Sequence, residues 1–219
     1  MLTVPIEADV AATTPAVRVL VIGRSENVLT DLVAILRTNG YAAGATNEFD
    51  RVLELFDVNR LDVVVFGGMV PPDTNAYLRE EITNRNADVT FVQGYAGIPG
   101  LVAMQVQAAV ADTTDEPASS VTYDAGMRTL GVSLAAPRQV SVVAWWATSF
   151  TPPEPKSTSR VLVDTELPAG RHDVAIPPDV PAQASFATVS VGPAVHTLIV
   201  GAMPTGTTMA RFPGTAGPE

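Results

Sequence analysis

Along the first half of the chain, short apolar runs alternate with stretches whose apolar residues recur at helical spacing. The runs are VRVLVIG (Val17 to Gly23), YAAGA (Tyr41 to Ala45), DVVVFG (Asp62 to Gly67) and DVTFVQG (Asp88 to Gly94). Three of them are rich enough in β-branched residues to be strands buried on both faces, and the second is the weaker one. Between the first two lie Val28, Leu29, Leu32, Val33, Ile35 and Leu36, and between the next two lie Phe49, Val52, Leu53 and Phe56, both sets spaced as one face of a helix. Asn39-Gly40 closes the first of these helices. Strand, helix, strand in this rhythm predicts right-handed crossovers and a four-stranded parallel sheet held between helices. A further helix runs from about Gly100 to Val110, and the polar, acidic ADTTDEPASS after it reads as a boundary.

Beyond that boundary the period changes to two. VTYDAG, TLGVSLAAP, QVSVVAWWATS, SRVLVDTELP, RHDVAIPPD, ASFATVSVG and VHTLIVG are short runs separated by proline, glycine or polar turns, the pattern of an antiparallel sandwich. The expected fold is therefore an α/β three-layer parallel-sheet domain (17–111), a linker (112–120) and an all-β antiparallel sandwich (121–203). The stretch 204–219, rich in Gly, Pro and Thr, is expected to be a flexible tail. In residues 1–16, Leu2, Val4, Ile6, Ala8 and Val10 alternate with polar residues or Pro5. This segment is either a tail or a strand added to an open edge of the chain's own sandwich or of a neighbour's.

Charge narrows the partners. With 23 acidic against 13 basic residues the net charge is −10, and the arginines are scattered, so neither nucleic acid nor an anionic membrane finds a basic footprint. Only 16% of residues are charged while 47% are hydrophobic, which predicts apolar surface covered by another copy or by a protein partner. Cysteine is absent, so disulfides, thiolate metal sites and a cysteine nucleophile are excluded. MLTVPIEADVAATTP carries neither an export signal nor a span, and the expectation is a cytoplasmic protein.

The third run, Asp62-Val63-Val64-Val65-Phe66-Gly67 with Pro71 four residues on, carries a resemblance. Residues 17–110 look like a receiver domain of the bacterial response-regulator family, with flavodoxin-like strand order. The family's third strand ends in the aspartate that is phosphorylated, and Gly67 stands in its place. Gly23, Arg24 and Ser25 stand where the family has the acidic pair that holds magnesium, and Gln93-Gly94 where it has a hydroxyl residue. The family's lysine has no counterpart, because the only lysine, Lys156, lies in the proline-rich TPPEPKSTS. Glycine has no oxygen to accept a phosphoryl group and a cation needs several hard oxygens, so the resemblance implies a receiver incompetent for phosphorylation.

A second resemblance, to nucleotide-binding Rossmann proteins including the short-chain reductases, rests on GRSENV after the first strand, which has one glycine where the fingerprint needs three. Glu48 lies near the distance at which such proteins carry a ribose-binding acid. The reductase pair would need Tyr95 with a lysine four residues on, where Pro99 stands. Three loops at strand ends nevertheless carry glycine: Gly23-Arg24-Ser25, Gly67-Gly68, and Gly94 through Tyr95 and Gly97 to Gly100. In a doubly wound sheet these loops meet at the crevice, where backbone amides could cradle an anion. Arg24 could pair with a phosphate, and Ser25 reads either as a donor to it or as a helix cap. A nucleotide is the ligand such a crevice would take; no cofactor is demanded.

The remaining chemistry is sparse. His172 and His196 alternate with apolar residues and read as core or interface histidines, and no spacing demands a metal site with Asp173 or Asp164. Ser25 lacks a GxSxG elbow and the α/β half has no histidine to activate it, so no catalytic residues are assigned. Trp145 and Trp146 are neighbours on one strand and point to opposite faces. One fills the sandwich core; the other is the chain's best interface anchor. The expected role is non-catalytic binding or assembly, with a nucleotide-dependent enzyme as the alternative.

Overall fold

The computed structural model describes residues 1–6, 16–94, 97–114, 119–149 and 156–202. In the first half the elements are β1 (Thr3–Val4), β2 (Arg18–Ile22), α1 (Glu26–Thr38), β3 (Ala42–Thr46), α2 (Val52–Leu55), β4 (Val63–Phe66), α3 (Pro72–Arg85), β5 (Thr90–Gln93) and α4 (Pro99–Val110). The sheet order is β1-β3-β2-β4-β5, with β2 to β5 mutually parallel. Successive residues of the central strands feed opposite layers. Val19, Val21, Val63 and Val65 pack under α1 and α4, while Leu20, Ile22, Val64 and Phe66 pack under α2 and α3. Each such fully buried side chain contributes about 1.5–3 kcal/mol, which is why these runs read as continuous rather than alternating.

The N-terminal residues settle on the α/β sheet, not on a sandwich edge. β1 lies antiparallel to β3 with Thr3 opposite Thr46 and Val4 opposite Ala45, so the sheet is mixed rather than all parallel. The Leu2 amide donates to Asn47 Oδ1 at 2.7 Å, and Arg37 Nη2 donates to the Pro5 carbonyl at 2.8 Å. Gly44 makes this approach possible: a Cβ there would stand 2.6 Å from the Val4 carbonyl oxygen and 2.6 Å from Ile6 Cγ1. The expected alternation from Ala8 to Val10 lies outside the described residues.

Two helices differ from the sequence reading. The stretch from Phe49 to Phe56 is a 3₁₀ turn followed by the single turn of α2, and Phe56 is already extended. Helix α3 has almost no apolar stripe, burying only Leu78 and Ile82, so periodicity does not announce it. Its start is nonetheless written in Pro71-Pro72. Pro72 occupies the first helical position, where its missing N–H leaves no bond unmade.

The second half contains β6 (Ser119–Asp124), β7 (Thr129–Leu134), β8 (Arg138–Ser149), β9 (Lys156–Leu167), β10 (Gly170–Ala175), β11 (Ser185–Val191) and β12 (Ala194–Ile199). A three-stranded sheet, β10-β7-β6, faces a four-stranded one, β12-β11-β8-β9, and every pairing is antiparallel. Leu130, Val132, Val140, Val142, Ala187 and Val189 from the two inner faces form one core, with Trp146 against it. β8 and β9 are 12 residues long against 6 in the facing strands, and their extra length reaches the α/β half. There Trp145, on the outer face, packs with Phe186 of β11 against Ile98 and Leu101 at the start of α4. The indole Nε1 donates to Thr188 Oγ1 at 2.9 Å, satisfying a hydroxyl that is 1% exposed.

Candidate functional site

The glycine crevice lies at the carboxyl ends of β2, β4 and β5. The Gly23 amide donates to the Thr46 carbonyl at 3.2 Å, the Gly67 amide to the Ile22 carbonyl at 2.8 Å, and the Gly94 amide to the Phe66 carbonyl at 2.8 Å. Each extends the sheet ladder one residue past its strand. These three amides are thus committed to neighbouring strands. Space is not what calls for glycine at 67 or 68. A Cβ on Gly67 would meet Gly23 Cα and the Ile22 carbonyl oxygen at 3.4 Å, an ordinary contact, and on Gly68 nothing lies nearer than 3.9 Å. Gly94 is tighter, with Val102 Cγ2 at 3.3 Å.

The other residues expected in the crevice divide between caps and solvent. Ser25 is the N-cap of α1, its side chain accepting from the Val28 amide at 3.5 Å, and Arg24 is exposed. Gly97 takes a positive φ of 61° in the turn before α4. Tyr95 lies outside the described residues. Glu48, the ribose-acid candidate, accepts from Thr3 Oγ1 at 2.9 Å and pairs with Arg51 at 3.0 Å, so β1 covers it.

Beside the crevice lies a network with no early warning in the periodicity. Gln93 Nε2 donates to the Phe66 carbonyl at 3.0 Å, and its Oε1 accepts from Asn75 Nδ2 at 3.2 Å. Asn75 Oδ1 in turn accepts from Arg79 Nε at 2.7 Å. The Arg79 guanidinium lies 5.0 Å from the Phe66 ring centre and 4.8 Å from that of Phe91, within cation–π range of both. Burial holds its pKa below the ordinary arginine value. The signal that could have found it is local: the positions three and four residues away are Asn75, Ala76, Ile82 and Thr83, so no helical neighbour offers a carboxylate.

A cleft of about 740 Å³ opens where the β8–β9 arm meets α1 and the start of α4. Trp145, Ser157 and Ser159 form one wall and Asn27 and Asp31 the other, with Lys156 at the arm's end. Of the glycines in the three strand-end loops, Gly100 lines it, while Gly23, Gly67, Gly68, Gly94 and Gly97 do not. It is a seam between the halves, lined by Asp, Lys and hydroxyl side chains and by the Trp145 ring. Of TPPEPKSTS, residues 151–155 lie outside the described residues.

Both histidines stand on inner faces of the sandwich, His172 opposite Val132 and His196 opposite Val189. The His172 ring Nε2 is 2.8 Å from the Pro168 carbonyl, which it meets as a donor, while His196 Nε2 is buried with no partner. Burial holds the His196 pKa below its ordinary 6.5. Among the described residues no group of three or more His, Cys, Asp or Glu is placed to hold a metal ion, and no helix is long and apolar enough to cross a membrane. Neither the models of known protein families nor the curated proteins contain a match to this chain.

Proposed function

We propose that this chain is a non-catalytic binding or assembly protein, whose α/β half is a receiver-like scaffold without the phosphorylation residues and whose sandwich serves interaction. The observation that carries the reading is the commitment of the Gly23, Gly67 and Gly94 amides to strand carbonyls. A crevice in which these three amides are engaged, and whose strand-end glycines bring no side chain, has few groups with which to hold or transform a nucleotide. The order of the four parallel strands, second-first-third-fourth, is that of a flavodoxin-like sheet and supports the receiver likeness.

Of the two tryptophans expected to include an interface anchor, Trp146 packs in the sandwich core and Trp145 against α4 of its own chain, so Trp145 joins the two halves and a partner's contact falls on other residues. Titration calorimetry of the purified chain with NADPH, FMN and ATP, together with light scattering at two concentrations, tests the reading. The expected results are no saturable nucleotide heat and a mass that rises above the monomer with concentration or with an added protein partner. A stoichiometric nucleotide would overturn it in favour of a nucleotide-dependent enzyme.

A further inference from the structure

The open edge of the α/β sheet and the Arg79 network lie side by side. β5 is the last strand in the order and pairs only with β4. The Thr90 and Gly94 amides are directed at β4, donating to the Asp62 and Phe66 carbonyls. Strand alternation therefore turns the amides of Phe91 and Gln93 and the carbonyl of Phe91 outward. Among the described residues no partner takes these three groups, while the Gln93 carbonyl at the end of the same edge accepts from Gln105 Nε2 at 3.1 Å. An edge with free donors and acceptors is a template for another strand.

The Phe91 side chain belongs to the α3 face and carries the guanidinium 4.8 Å above its ring. That guanidinium is held from one side only. Its Nε is fixed by Asn75, which Gln93 fixes against the end of β4, and the two rings set its plane. Among the described residues Arg79 makes no ion pair, although the chain carries 23 acidic residues. A planar fork with two unused terminal nitrogens, its orientation set by its neighbours, matches a carboxylate in bidentate geometry.

We propose that β5 accepts an extended acidic segment of a partner polypeptide, which adds to the sheet as a strand and places an Asp or Glu side chain on the Arg79 guanidinium. The geometry joins the two contacts. A strand added outside β5 lies about 4.8 Å away, and its residue opposite Phe91 has its Cβ about 4.5–5.5 Å from that of Phe91 on the same face. The guanidinium stands over the boundary of β4 and β5, 5.0 Å from the Phe66 ring and 4.8 Å from the Phe91 ring, so the Asp or Glu side chain at that position extends inward across Phe91 to meet its terminal nitrogens. Main-chain bonds supply affinity and the single carboxylate sets register. The inference deepens the binding role by naming the partner's chemistry.

Selection of a random octapeptide library on the full chain tests it, followed by fluorescence anisotropy with the winning peptides. The expected winners carry Asp or Glu at one position among β-branched residues. Their affinity falls roughly tenfold or more on exchange of that acid for its amide, or on Arg79→Gln, because a charge-assisted bidentate contact is lost. Arg79→Lys keeps the charge without the fork and is expected to recover only part, and it serves equally if Arg79→Gln melts early. On binding, hydrogen exchange at the Phe91 amide slows. No enrichment, winners indifferent to their acid or to Arg79, or an unprotected Phe91 amide would each overturn the proposal. The nucleotide titrations report separately on the crevice, so failure here and failure of the binding reading are distinguishable.

Discussion

Gly100 sits in the first turn of α4 directly beneath the Trp145 indole. A Cβ added there would stand 2.3 Å from Trp145 Cζ3 and 2.7 Å from Cη2. The ring cannot withdraw freely, because its Nε1 is bonded to Thr188 and its faces pack with Ile98, Leu101 and Phe186. Gly100→Ala therefore sets two terms against each other. Overpacking a filled contact costs about 1–3 kcal/mol, whereas alanine in place of glycine gains at most about 1 kcal/mol inside a helix and less in a first turn. The net expectation is a loss of about 1–2 kcal/mol, which in a chain of this size lowers the melting temperature by roughly 2–8 °C. Urea unfolding followed by circular dichroism measures the loss, and tryptophan emission reports on the seam, since Trp145 and Trp146 are the only tryptophans. A double-mutant cycle with Trp145→Phe isolates the contact. In the phenylalanine background the clash is gone and Gly100→Ala becomes neutral or mildly stabilising. If Gly100→Ala stabilises the wild-type chain, or costs the same in both backgrounds, the indole does not rest on α4 and the joining of the halves is refuted.

Other outcomes follow from the same geometry. Gly67→Asp, which restores the receiver family's residue, is expected to fold with a melting temperature within a few degrees of the parent, since a Cβ there meets nothing closer than 3.4 Å. It is also expected to take up no phosphoryl group from acetyl phosphate with magnesium, by intact-mass measurement, because Gly23, Arg24 and Ser25 supply no carboxylate for the cation. Gly44→Val is expected to unseat β1, seen as faster hydrogen exchange at Leu2 and Val4 while the exchange of β2 and β4 is unchanged. The His196 pKa is depressed in the folded state, so the unfolded chain binds the proton more readily; stability is full above about pH 6.5 and is lost as pH falls through the lower folded value. Urea midpoints at pH 7.5 and pH 5 should show that loss, and His196→Leu should reduce it.

Most of the architecture was legible because burial on two faces leaves a plain mark. VRVLVIG and DVVVFG feed both layers, whereas β6, β8 and β10 alternate, so the change of period separated the halves. The parts that were not legible are those held by polar groups or by shape. Helix α3 buries two residues and is set by Pro72 and by tertiary contacts. β1 is two residues long and depends on a space at Gly44 that no pattern of apolar residues encodes. At the crevice, the sequence revealed glycines but not the direction of their amides, because donor direction is a property of strand register. The Asn75, Arg79 and Gln93 network was hidden for a similar reason. Its members are far apart along the chain or separated by a helical turn, and only the packing of α3 on β5 brings them together.

β1 makes the two margins of the α/β sheet unequal. It lies over the carboxyl end of the five-residue β3 and is itself only two residues long, so the margin it forms offers very little backbone to a neighbour. The opposite margin, β5, is four residues long. The sheet is thus blunted on one side and extendable on the other, which guards it against the end-to-end stacking that fibrils need.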